Sequence, residues 1–182
     1  MSTLVRDLHQ NLTAHYEGMY RYPIVYYFHN RRPNRSIPNL FWFIGASAAA
    51  VRWCLPPGHP ATANPWLPGL IEGFDDTVKQ VEKQFLPDEP AARVQPVTFE
   101  EFRSAPYRGC ASDERLGAFL EAETFMRGLA VEEGPEDLPE AYGRYVEWHD
   151  FTSRGRAFVQ AASGDLGLEP EEIYTDAARS RF

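Results

Sequence analysis

Lysine is nearly missing from this sequence. Only Lys79 and Lys83 occur, so arginine carries almost all the positive charge. That favours fixed pairing with carboxylates through the planar guanidinium fork, and a biased genomic composition produces the same usage. Cysteine is scarce as well: Cys54 and Cys110 stand alone, with no CxxC spacing. This excludes a zinc ribbon or a disulfide scaffold and reads as two reduced, buried apolar groups in a cytoplasmic protein. Long apolar runs are absent. The longest, Leu40 to Val51, contains Gly45 and Ser47 and falls short of the ~20 residues a bilayer core needs. No transmembrane segment is expected, and MSTLVRDLHQ lacks the continuous apolar stretch of a signal peptide.

Several chemical signatures are missing too. No GxGxxG or GxxxxGK[ST] loop offers backbone amides to a phosphate. No GxSxG elbow or SxxK pair is present to activate a serine. The histidines are His9, His15, His29, His59 and His149, and none lies three or four residues from another. A helical HxxxH or HExxH metal pair is therefore excluded, and neither metal nor cofactor is expected. Both cysteines sit in apolar or neutral surroundings, which disfavours a reactive thiolate. The net charge of −8 argues against general affinity for nucleic acid. That charge is unevenly spread: residues 1–60 hold six arginines against Asp7 and Glu17, a net of +4, leaving −12 on residues 61–182. Either the two parts neutralise each other in the fold or a basic face is exposed.

Helical periodicity dominates what is present. Leu4, Leu8, Leu12, His15 and Met19, widened by Val5 and Tyr16, form an amphipathic stripe that Pro23 interrupts. Ser36 is a predicted N-cap, with Pro38 in the first turn. Residues 39–55 are apolar nearly all round, with Ala46 and Ala48 to Ala50 leaving room for neighbours, so this helix is expected at the centre. Leu70, Ile71, Phe74, Val78, Val81 and Phe85 mark another helix, with Glu72, Asp75 and Asp76 early and Lys79 and Lys83 late, as a helix dipole favours. Thr98 to Glu101 has the form of a capping box. Ser112 or Asp113 caps a helix buried through Leu116, Phe119, Leu120 and Phe125. A long helix follows over about 139–163 despite Gly143 and Gly155, and Glu169-Pro170 opens a short last one.

No segment alternates with turn punctuation; Tyr22 to Phe28 is the one strand candidate and has no partner. The expected fold is a single all-α domain over 1–182. It is an irregular bundle of six or seven helices around the apolar helix at 39–55, with linkers near 56–68, 86–96 and 130–138.

Two groups of residues could carry function. Arg31, Arg32 and Arg35 lie within five positions, flanked by Tyr26, Tyr27, His29 and Trp42. Arginine beside aromatic rings suits a small anion, a protein partner or a peripheral membrane contact. A plain turn paired internally with Asp75, Asp76 or the acidic linker accounts for the same pattern. The second group is EWHD at 147–150, where His149 with Asp150, and with Glu121 or Glu123 from another helix, could act as acid and base or hold a metal. An inward-facing histidine bonded to a neighbour is the structural reading of the same residues. The favoured expectation is a non-enzymatic binding or regulatory module, with the His149–Glu123–Asp150 enzyme as the alternative.

Tyr22 to Phe28, the turn from Arg31 to Arg35, Ser36 and the alanine-rich helix from Leu40 to Val51 occur in a particular order. In that order, residues 14–55 resemble the cytosolic C-terminal region of bacterial two-transmembrane potassium-channel-like proteins, without the pore. AYGRYV at 141–146 resembles it in general organisation. The resemblance implies a cytoplasmic all-α accessory or regulatory domain, acting near a membrane or on another subunit and carrying no catalytic residues. The acidic residue it leads one to expect near Gly45 is absent, and so is a TVGYG filter.

Overall fold

Among the described residues there are six α-helices, one 3₁₀ turn and no strand. The structure is a computed structural model that describes residues 2–22, 36–86, 94–128 and 137–168. Tyr26, Tyr27, His29, Arg31, Arg32 and Arg35 lie outside the described residues. So do the strand candidate beyond Tyr22, most of the acidic linker, and the helix expected from Glu169.

Helix α1 (Ser2–Arg21) packs on α3 (Leu67–Phe85), and α2 (Ile37–Trp53) packs chiefly along α6 (Leu138–Asp165). The short α4 (Phe99–Ser104) and α5 (Glu114–Gly128) cover the other flank of α6. The buried stripe of α1 is Val5, Leu8, Leu12 and Met19, while Leu4 is 49% exposed and His15 faces solvent. The predicted stripe was thus centred too far round: an apolar residue one position off the 3-4 spacing points about 100° away.

Ser36 caps α2 as expected. It accepts from the Asn39 amide at 3.3 Å, with proline in the first turn. Phe41, Ile44, Gly45, Ala48 and Ala49 are buried, but Phe43 is 51% exposed, so the helix is less uniformly enclosed than its composition suggested. Gly45 has a specific reason. A Cβ there would stand 2.8 Å from Phe74 Cζ, so the missing methyl is what admits the Phe74 ring. Across that ring, Gly155 of α6 would place a Cβ at 3.5 Å, an ordinary contact. Phe74 meets Phe41 at 5.9 Å and Phe151 at 5.2 Å between centroids, and Phe41 meets Phe158 at 4.9 Å. A second aromatic group, Phe102, Phe119, Tyr142, Tyr145 and Trp148, fills the space among α4, α5 and α6.

The proline-rich connection at 56–66 is a chain of turns. His59 N bonds Pro56 O at 3.1 Å, Thr62 N bonds His59 O at 2.9 Å, and Leu67 N bonds Asn64 O at 3.0 Å. Side chains supply further acceptors: His59 Nδ1 takes the Ala61 amide at 3.2 Å and Asn64 Oδ1 the Trp66 amide at 3.0 Å. His59 is therefore a turn-former. Because α3 begins at Leu67, Glu72, Asp75 and Asp76 fall beyond its first turn, which holds no acid. The dipole fades within a turn, so only Lys83 at the far end complements it.

Thr98 and Glu101 form the predicted capping box, with Thr98 N to Glu101 Oε2 at 2.9 Å and Glu101 N to Thr98 Oγ1 at 3.4 Å. Of the two candidate caps for α5, Asp113 does the work: its Oδ1 accepts from Arg115 N at 2.8 Å and Leu116 N at 3.0 Å. Phe125 is 66% exposed, and Glu123 and Met126 take the inward positions instead. Just before α4, Tyr142 Oη donates to Val97 O at 3.0 Å, while Val97 N donates to Tyr145 Oη at 3.3 Å. Both polar groups of that extended residue are thereby satisfied from α6.

Candidate functional site

The charged seam of α6 starts at its N-terminal half. Arg144 points back at the end of α2, where unpaired carbonyls and the negative end of the dipole collect. Its Nη1 donates to Trp53 O at 2.6 Å and to Leu55 O at 3.4 Å, and its Nη2 to Glu123 Oε1 at 2.7 Å. The Arg144 and Glu123 side chains are 13% and 10% exposed, and Arg127 stands 3.5 Å from the same carboxylate oxygen. Glu147, one turn further along α6, adds a second tie to Trp53, accepting from its indole Nε1 at 2.7 Å. Cys54 lies fully buried beside this group. Burial, then the Glu123 charge, push its thiol up to about 12, so it stays protonated and inert.

His149 lies on the inner side of α6, 2% exposed, with its ring 5.8 Å from that of Tyr145. Its pKa is below the ordinary histidine value, first because burial disfavours the charged ring and then because Arg115 repels it; Asp113 and Asp150 act in the opposite sense. Arg115, in the first turn of α5, donates through Nη1 to Ser153 Oγ. Asp150 is turned outward, 3.5 Å from Arg154, which also donates to Asp75 at 2.8 Å.

The three residues of the enzymatic alternative therefore face different partners: Glu123 the Arg144 guanidinium, Asp150 the Arg154 guanidinium, His149 the Tyr145 ring and Arg115. Glu121, the other acid weighed for that set, pairs with Arg108 on the surface. Among the described residues no group of three histidine, cysteine or acidic side chains could hold a metal.

Of the arginine-turn group, Trp42 is described. It is half-buried on α2, with the Arg156 guanidinium 5.7 Å over its ring. The acids considered as partners for the turn have other contacts: Asp75 with Arg154, and Asp76 with Lys79 at 3.5 Å. On either side in sequence, large aromatics face solvent: Tyr20 is 69%, Tyr22 65% and Phe43 51% exposed. An apolar crevice of about 10 Å³ by Phe41, Trp42, Gly45 and Phe151 has room for about one water. A wide groove of about 350 Å³ runs between α1 and the start of α3, where His9 meets Trp66 at 5.7 Å between centroids.

Sequence reasoning missed Arg144, Arg127, Arg115 and Ser153, and singled out Glu147 within EWHD without its Trp53 partner. One signal was available. Glu123 interrupts the stripe Leu116, Phe119, Leu120, Met126, and Arg144 interrupts the stripe Ala141, Tyr145, Trp148. Two opposite charges, each inside an apolar face, predict one another.

No helix among the described residues is long and apolar enough to cross a membrane. No family model, curated protein or solved structure matches the chain.

Proposed function

We propose that the protein is a non-enzymatic helical binding or regulatory module. It acts through the segment between α1 and α2, where Arg31, Arg32 and Arg35 would contact a protein partner or a membrane surface. One observation carries the reading: Tyr20, Tyr22 and Phe43, three of the large aromatics that flank this segment in sequence, are more than half exposed, while Phe41 and Trp42 turn inward. Burying one such ring contributes about 1.5–3 kcal/mol, so leaving three in water near an arginine run suits a contact that covers them. The resemblance of residues 14–55 to a cytosolic accessory region supports the same role and a cytoplasmic setting. Glu123 is held by Arg144 and Asp150 by Arg154, which leaves those two and His149 with no assembled acid–base pair.

The test replaces Arg31, Arg32 and Arg35 together by alanine. Wild type and variant are compared in sedimentation with phosphatidylcholine vesicles, with and without phosphatidylserine, and in retention of partners on immobilised protein. Each arginine near an anionic surface contributes ~1 kcal/mol, so the triple variant loses most vesicle binding if the membrane is the target. Loss confined to the second assay identifies a protein partner. Equal retention of both proteins in both assays sinks the proposal.

A further inference from the structure

The α5–α6 seam carries positive charge whose provision the fold does not explain. His149, Ser153 and Arg156 stand at i, i+4 and i+7 on α6 and so share one side of that helix. Arg115 reaches the same side from the first turn of α5 and bonds Ser153 Oγ, a hydroxyl rather than a carboxylate. It makes no ion pair among the described residues, although acids outnumber bases 26 to 18 in the chain. Arg156 is near enough to disfavour the charge on Arg115. The His149 ring is 2% exposed and makes no hydrogen bond among the described residues, so its nitrogens are not committed to a neighbour. Acids do face this seam. Asp113 spends one oxygen capping α5 and Asp150 is held near Arg154, and neither stands within ion-pair distance of Arg115.

We propose that this seam is a binding site for a small tetrahedral oxyanion, a phosphate group or its sulfate analogue. Arg115 supplies a forked charged donor, the Ser153 hydroxyl donates once Arg115 turns to the anion, and the His149 ring gives an N–H. Arg156, which already has other contacts, adds charge without being required as a ligand. The chemistry is that of charge-assisted hydrogen bonds to an oxyanion. The ligands named for this site are not those invoked under the proposed function, and either proposal can fail alone.

Inorganic phosphate and sulfate are titrated into the whole protein at constant ionic strength, followed by calorimetry and by thermal stability. Saturable binding is expected. It weakens about 10–100-fold in Arg115→Gln, as loss of a charged hydrogen bond predicts, and less in Ser153→Ala. Arg103→Gln, which removes an exposed arginine of α4, binds like wild type. Sulfate stays dianionic from pH 8 to pH 6, so tighter sulfate binding at pH 6 in wild type, but not in His149→Gln, reports the imidazole. Vesicles containing phosphatidic acid, compared with phosphatidylcholine alone, separate a lipid headgroup from a free anion, and binding in either arm supports the site where Arg115→Gln weakens it, since Arg31, Arg32 and Arg35 would hold anionic vesicles without it. No saturable binding in either arm, or Arg115→Gln and Ser153→Ala both binding like wild type, overturns it.

Discussion

Helix α6 packs against the molecule in two unlike ways. Towards α2 and α3 it presents Phe151, Gly155 and Phe158 to Phe41, Gly45 and Phe74, a contact of rings and missing methyl groups. Towards α5 and the end of α2 it presents Arg144, Glu147 and His149 to Glu123, Trp53 and Arg115. The first flank is indifferent to chemistry and strict about volume, because close-packed interiors leave no slack for a methylene. The second is strict about charge, because a buried ion that loses its partner is left uncompensated.

The contrast can be broken most forcefully on the apolar side. Phe74→Ala removes a ring that is 1% exposed and should cost about 3–5 kcal/mol, read by urea denaturation. A loss below about 1 kcal/mol would mean that α3 is not wedged between α2 and α6. The paired glycines sharpen the point. Gly45→Ala drives a methyl to 2.8 Å from Phe74 and should cost about 1–3 kcal/mol, since that ring is itself enclosed. Gly155→Ala, with its contact at 3.5 Å, should be neutral or stabilising by up to about 1 kcal/mol through helix propensity. Equal effects would refute the argument from close approach. Off both flanks, Thr98→Ala removes a complete capping box and should cost about 1 kcal/mol.

On the polar side the response is to pH. The pKa of His149 is lower in the folded protein than the ordinary value of 6.5, so the unfolded chain binds the proton more readily. Its contribution is complete above about pH 6.5 and drains away as pH falls from there through the folded value. His149→Gln should flatten the stability profile in that window; an unchanged slope would show that other groups set it. Thiol reactivity gives a smaller readout of the same contrast. Exposed Cys110 should react at once with a disulfide reagent, and Cys54, raised to about 12, only as fast as the protein opens.

Much of the fold was legible because local signals were strong: Ser36 with Pro38, the Thr98–Glu101 box and the central alanine-rich helix all declare themselves within a few residues. The errors came where a residue's face depends on a helix not adjacent in sequence. Phe125 looked buried because it is aromatic, yet Glu123 took the inward place because Arg144 lies across from it. His15 and Leu4 matched the period of α1 but missed the side that α3 covers. His149 was found, as an inward histidine, from its spacing. Its surroundings were not, because Arg115 and Ser153 lie on different helices and meet only once α5 docks on α6.

A double-mutant cycle on Glu123 and Arg144 tests the division of α6 most directly, with Glu123→Leu, Arg144→Met and the pair measured by chemical denaturation. Glu123→Leu alone should cost about 3–5 kcal/mol by stranding a guanidinium that is 13% exposed. The pair should recover at least about 1–2 kcal/mol of the summed losses, short of full recovery because the Trp53 and Leu55 carbonyls lose their donor. Losses that add to within about 0.5 kcal/mol would contradict the claim that charge pairing governs this flank.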